Sequence, residues 1–356
     1  MIWIWAGFIL LVLAMLALDL GVFHRRAHVV SMKEALVWST IWTIVGLLFA
    51  VFVYYGYENH WEGLGKTPDP VDRMVNGGFT ATMKYITGFV VERSLSADNI
   101  FVIAMIFSFF GIPPMYQHRV LFWGIVGALV LRGAMIALGA TLVAKFSWIL
   151  IVFGVFLVFT GIKMFFLKSE DIDPAKNVFV RIARRFFPVT TRFYGEKFLV
   201  RAGSANGGSG GAPDVDQPPD EAMLRVKKGT VLLTPLAVAL LTVETSDVIF
   251  AVDSIPAIFA ITGDPFIVFT SNILSILGLR ALYFALASMI SMFRYLKASL
   301  ALVLVLVGVK MLLAKWLHRV LGEHFSVYVL GVVLLILTAG VVLSIAADRR
   351  RPAARS

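Results

Sequence analysis

The chain has no cysteine, which excludes a disulfide framework, a thiolate metal site and a redox dithiol together. Charge is also scarce. Only 15% of the residues are Asp, Glu, Lys or Arg, against about 25% in an ordinary soluble domain. The six histidines all fall in connecting stretches or at the ends of apolar runs. No imidazole therefore stands inside an apolar run, which counts against a zinc or copper carrier. Gly-rich phosphate loops, metalloprotease helices and nucleophile–base pairs are missing as well, so the chain reads as no enzyme and needs no organic cofactor.

What the chain has is oil. Of its 356 residues 59% are hydrophobic and the mean hydropathy is +0.86, more apolar surface than a water-soluble core can hide. The net charge of +10 then reflects membrane topology and lipid contact rather than nucleic acid. Runs long enough to cross a hydrocarbon layer of about 30 Å occur at 3–23, 35–55, 78–110, 120–144, 148–167, 230–261, 266–289, 299–314 and 325–346. The expected fold is all-α, a polytopic membrane protein of about nine transmembrane helices. The third and sixth runs exceed one straight crossing and carry acids midway, which suggests tilted or broken helices.

No cleavable signal precedes the first run, and His24, Arg25 and Arg26 follow it, so its far end is expected in the cytoplasm. The N-terminus then lies outside and, after nine crossings, the C-terminus inside, with most basic residues on the cytoplasmic face of the cell (inner) membrane. The chain divides into two N-terminal helices (1–56), a three-helix unit (78–167), a hydrophilic segment (168–229), a second three-helix unit (230–315) and a last helix (325–346). Within the hydrophilic segment, Asn177 to Arg201 suggests an amphipathic surface element, whereas Gly203 to Pro219 has the composition of a flexible linker.

The two three-helix units share a pattern. Leu131-Arg132-Gly133-Ala134 recurs as Leu279-Arg280-Ala281-Leu282, and Gly161-Ile162-Lys163-Met164 as Gly308-Val309-Lys310-Met311, at spacings of 148 and 147 residues. Three crossings is an odd number, so the second copy is inverted, an arrangement in which substrate binds between the halves near the midplane. Upstream two registers compete. A spacing of 149 aligns Asp98 with Asp247; one of 155 aligns Asp98-Asn99-Ile100 with Asp253-Ser254-Ile255 and Glu92 with Asp247. The second is preferred because it matches two acids.

Six carboxylates lie within apolar runs: Asp19, Glu92, Asp98, Glu244, Asp247 and Asp253. An Asp at a helix centre costs about 2.5–3.5 kcal/mol on insertion scales, and such residues face a bundle interior and mark ion paths or pairs. With Asn99 and Ser254 they form an oxygen-only donor set, suited to Mn²⁺, Mg²⁺ or Ca²⁺. Glu244 and Asp247 share one helix face, whereas Asp253 points elsewhere on a straight helix. The competing explanation is structural pairing. Arg132 and Arg280 sit deep in their runs and are expected to neutralise carboxylates on neighbouring helices, but two arginines do not balance six acids; Lys84 and Arg93 are further partners to weigh. Tyr54, Tyr55, Tyr57, Trp3, Trp5 and Trp148 stand at run ends and read as an aromatic interface belt.

The stretches Ala17 to Arg25, Glu92 to Phe101, Tyr116 to Gly124 and Phe250 to Ala260 resemble the TerC/Alx family of integral membrane proteins over nearly the whole chain. The resemblance implies manganese export or homeostasis, with an association to tellurium resistance. It implies a cation path through Glu92, Asp98, Asn99, Glu244, Asp247, Asp253 and Ser254, with Asp19 as a further acid. The expected function is therefore export of a divalent cation, Mn²⁺ as transported substrate, by alternating access, with protons competing for the same acids as the driving step. The rival is a non-transporting assembly or envelope-stress protein linked indirectly to tellurium resistance. Expected partners are membrane lipid, the divalent cation and further copies of the chain in a homo-oligomer.

Overall fold

The computed structural model describes residues 1–23, 31–146, 148–166, 187–190, 192–202, 226–287, 296–313, 316–317 and 325–349, with isolated positions between them. Its helices are α1 (Ile2–Phe23), α2 (Met32–Glu58), α3 (Gly78–Phe109), α4 (Pro114–Lys145), α5 (Ile149–Phe166), α6 (Pro235–Phe259), α7 (Pro265–Leu277), α8 (Leu279–Ala287), α9 (Leu296–Leu312) and α10 (Phe325–Arg349). Their starts follow from local chemistry. Ser31 and Thr234 accept from the backbone N–H groups of Glu34 and Ala237, Asp264 accepts from Phe266 and Ile267, and α4, α6 and α7 each carry Pro in the first turn, where no N–H partner is lost.

Among the described residues, four helical segments are long and apolar enough to cross a membrane: α2, α4, α6 and Val327–Ser344 of α10. The pair α7 and α8, bent by 44° at a break, counts as a fifth, and Ile2–Leu18, Ile149–Met164 and Ala298–Leu312 are shorter apolar helices. The outer surface carries Leu10, Leu13, Leu48, Val130, Leu138, Phe159 and Leu335, the exterior a protein needs in lipid rather than in water.

Three details differ from the sequence expectations. Helix α3 is continuous over 32 residues despite its four charged side chains, and α6 runs unbroken through Pro256, because a proline in the last turn removes only one backbone bond. The break falls instead at Gly278, between α7 and α8. The sixth apolar run also starts outside its helix: Val231–Leu233 pairs antiparallel with Leu199–Arg201 as strands β2 and β1. So part of the hydrophilic segment is ordered and docked, with Glu196 bound to Arg119 of α4 and Arg119 stacked 5.6 Å from the Phe198 ring. The linker Gly203 to Pro219 lies outside the described residues. Among the aromatics, Trp3, Tyr55 and Trp148 are exposed as a belt requires, but Tyr57 is buried and Trp5 packs on Phe266 and Phe269.

Helices α5 and α9 pack closely, α4 lies against α6, and α7 lies against α3. Small residues set these approaches. A methyl added at Gly161 would lie 2.8 Å from the Ala301 carbonyl oxygen, and one at Gly308 would lie 2.9 Å from that of Gly154.

Candidate functional site: a buried carboxylate–guanidinium centre

Near the middles of α3, α4 and α6 three polar side chains meet in an apolar bundle. Arg132 of α4 is 1% exposed and Glu92 of α3 is fully buried. The guanidinium grips Asp247 of α6 with both edges, Nη2 to Oδ1 at 2.8 Å and Nε to Oδ2 at 3.1 Å. Its Nη1 donates to Glu92 Oε1 and, at 3.4 Å, to Ser254 Oγ. The Ser96 hydroxyl, one turn along α3, donates to the same Glu92 oxygen at 3.3 Å. Planar bidentate geometry explains why Arg rather than Lys stands here.

Neutralisation is incomplete. Glu92 Oε2 is buried with no hydrogen-bond partner among the described residues, and so is Oε2 of Glu244, one turn before Asp247. Glu244 leans on α4 at Gly127, where an added methyl would fall 2.0 Å from Glu244 Oε1; the missing side chain makes the space this carboxylate occupies. One guanidinium therefore pairs with two carboxylates, and a third, Glu244, stands one turn from Asp247. Beside it a void of about 20 Å³ is lined by Asn99, Ser246 and Asp247 among apolar residues such as Ile103 and Leu121, enough for about one water-sized occupant. The lining residues of α3 and α4 belong to the second half of α3 and the first half of α4, so the void lies on the side of the centre away from the 59–77 loop.

The expected residues are distributed unevenly. Glu92, Asp247 and Ser254 share Arg132; Glu244 stands alongside, and Asn99 faces the void. Asp253 is half-buried and turned toward Thr160 and Lys163 of α5, as a continuous α6 demands. The side chains of Asp19 and Asp98 lie outside the described residues. Arg132 is the ion-pair partner the sequence suggested, serving two acids at once, whereas Arg280 is buried at the start of α8 within electrostatic reach of His118 on α4. Among the described residues no three carboxylate or imidazole groups converge as a ready-made metal cage.

Arg93 resolves differently from any acid-counting scheme. It donates to the Ser275 carbonyl at 3.1 Å and to the Ser39 carbonyl and hydroxyl at 3.2 and 3.1 Å. It thus caps one carbonyl at the broken end of α7, where a helix dipole favours positive charge, and ties that end to Ser39 of α2. A methyl at Gly278 would sit 2.5 Å from its Nη1. The sequence offered only an isolated Gly inside the apolar run 266–289.

Buried charges on apolar helices with a lipid-compatible exterior define an integral, multi-pass membrane protein. The family model for the integral membrane protein TerC family matches residues 78–352, and the chain belongs to that family. It is 44% identical to an uncharacterised membrane protein of Myxococcus xanthus, covering 98% of this chain and 94% of that one. It is 40% identical to a Salmonella typhi protein, covering 98% and 95%, and 41% identical to one of Escherichia coli K12, covering 88% and 87%. Both are named membrane-bound redox modulator Alx, with the name marked provisional. No solved structure matches the chain at a significant level.

Proposed function

We propose that this protein exports a divalent cation, Mn²⁺ by its family likeness, by alternating access through the centre around Arg132, across about nine spans that include two inverted three-helix units. The observation that carries the reading is the charge imbalance: one buried guanidinium paired with Glu92 and Asp247, Glu244 one turn from Asp247, and one oxygen each of Glu92 and Glu244 left unpartnered, with a small void lined by Asp247 alongside. Buried anionic oxygens without partners are costly, and a hard cation is what such oxygens bind. Arg132 occupies the acids as a resident counter-charge, and an arriving ion competes with it for Asp247 and Glu92. Asp98, Asp253 and Asp19 are proposed as acids along the same path, with Asn99 and Ser254 as neutral ligands. Protons compete for the same carboxylates, since like charges gathered at one site favour protonation.

The packing supports the inverted repeat. The contact of Gly161 with Ala301 becomes that of Gly308 with Gly154 when each residue is exchanged for its mate 147 positions away. Gly88 meets Ser271 as Val243 meets Gly124, which requires spacings of 155 and 147 and favours the register pairing Glu92 with Asp247. The relatives named as redox modulators bear on this chain only indirectly: with no thiol of its own, its effect on redox balance would run through the cation it moves.

The second reading is favoured by the same salt bridges. A carboxylate–guanidinium–carboxylate triad is also a structural clasp, fit for a non-transporting membrane protein. Vesicle flux separates the two. Purified protein in vesicles should move Mn²⁺ saturably, and Asp247→Asn or Glu92→Gln should each reduce the flux at least tenfold. Retained flux in both variants, or full cellular function in an Arg132→Gln, Glu92→Gln, Asp247→Asn triple variant, would overturn the transport assignment.

A further inference from the structure

A second buried ionic cluster lies at the end of the bundle opposite the void. Lys84, one turn into α3 and 1% exposed, donates to Asp69 Oδ2 at 2.8 Å, to Asn76 Oδ1 at 2.7 Å and pairs with Asp72 Oδ2 at 2.7 Å. Asp69 is itself 2% exposed. Its Oδ1 accepts from the backbone N–H groups of Val71 at 2.9 Å and Gly263 at 2.8 Å, and its Oδ2 from the Thr262 hydroxyl. Burial raises the Asp69 carboxyl, yet the Lys84 ammonium and these hydrogen bonds hold it below the ordinary carboxylate range. Lys310 of α9 adds two bonds to the same corner, donating to the Ala260 and Ile261 carbonyls at the end of α6 at 2.7 and 3.2 Å.

The cluster therefore ties four parts together: the 59–77 loop, α3 from the first three-helix unit, and the α6–α7 turn and α9 from the second. It sits two turns of α3 from Glu92, and nothing in the carboxylate centre requires it. A carrier that works by alternating access must be shut on the side of its centre away from the void. We infer that the Asp69–Lys84 cluster is the gate that closes the centre at the loop 59–77 end and that opens when the two units rock apart. The inference rests on the transport reading. A buried network joined to both units must break for that end to open, whereas the centre can bind its ion with the network intact.

The absence of cysteine makes a clean test. A methyl built on Gly263 lies 3.1 Å from Pro70 Cβ, close to the roughly 3.5–4.5 Å between disulfide Cβ atoms. The double variant Pro70→Cys, Gly263→Cys spans the gate while leaving the Asp69 and Lys84 side chains and the Gly263 backbone N–H in place. In full-length protein in vesicles, oxidation should reduce Mn²⁺ flux at least tenfold and reductant should restore it. Undiminished flux through fully cross-linked protein overturns the gate. If neither the reduced variant nor the parent chain carries Mn²⁺, the transport reading has failed, and the gate is judged by labelling. Ser271→Cys, beside Gly88 and one turn beyond Lys84, reports access to the level between gate and centre, and Thr67→Cys on the exposed loop identifies the side. An impermeant maleimide added from that side should label Ser271→Cys at least tenfold faster when Lys84→Met or Asp69→Asn is added, and near the parent rate with Lys84→Arg. Equal rates with and without these changes overturn the gate.

Discussion

At the scale of single residues the account turns on what Arg132 neutralises. Removing it as Arg132→Gln strands Glu92 and Asp247 without their shared partner, and breaking a buried pair costs about 3–5 kcal/mol. The expected result is a large loss of thermal stability in detergent, recovered when Glu92→Gln and Asp247→Asn are added. Gly127→Ala acts differently: it leaves every ion pair in place but puts a methyl where the Glu244 carboxylate lies. Flux should fall, and the overpacking should lower stability by about 1–3 kcal/mol, less than the loss from Arg132→Gln. Asp69 supplies a pH prediction. Its folded pKa is depressed below the reference 3.8, so the stability it contributes is complete above that value and lost as pH falls through the lower folded value. The difference in melting temperature between the parent and Asp69→Asn should be constant from neutral pH down to about pH 5 and shrink only below pH 3.8; a difference that fades near neutral pH would contradict the cluster's assigned charges.

At the scale of elements, the broken span α7–α8 is the feature that departs most from a simple bundle. Gly278→Ala should displace Arg93 from the Ser275 carbonyl, uncapping α7 and lowering stability by about 1–3 kcal/mol, the range for a forced overpacking; urea or thermal unfolding measures it. Most element positions were legible in the sequence because hydrophobic run length maps directly onto membrane helices. The break was not, since Gly278 lies inside an unbroken apolar run and the close approach of Arg93 from α3 and Trp42 from α2 is a fact of tertiary packing. The third and sixth runs, where acids midway left a tilted or a broken helix open, form continuous helices, α6 running through Pro256. A helix surrounded by other helices keeps its backbone bonds even when its side chains are charged.

At the scale of the whole molecule, the sequence showed which carboxylates lie within apolar runs but not how they group. Glu92, Asp247 and Ser254 converge because the middles of α3, α4 and α6 meet, a fact of tertiary packing. Asp253 leaves the group because six residues on a continuous helix turn it toward α5. The partners of Lys84 were missed for a different reason: Asp69 and Asp72 lie in a loop outside every apolar run, so a search confined to the spans did not reach them. The resulting molecule is asymmetric, with a void on one side of the carboxylate centre and a closed ionic cluster on the other. The measurement that bears most directly on the central claim is anomalous scattering from crystals soaked in Mn²⁺. The account predicts a peak within coordination distance of Glu92, Asp247 and Glu244 with Arg132 displaced from at least one of them; saturating Mn²⁺ with no peak there and the guanidinium still bridging both acids would contradict it.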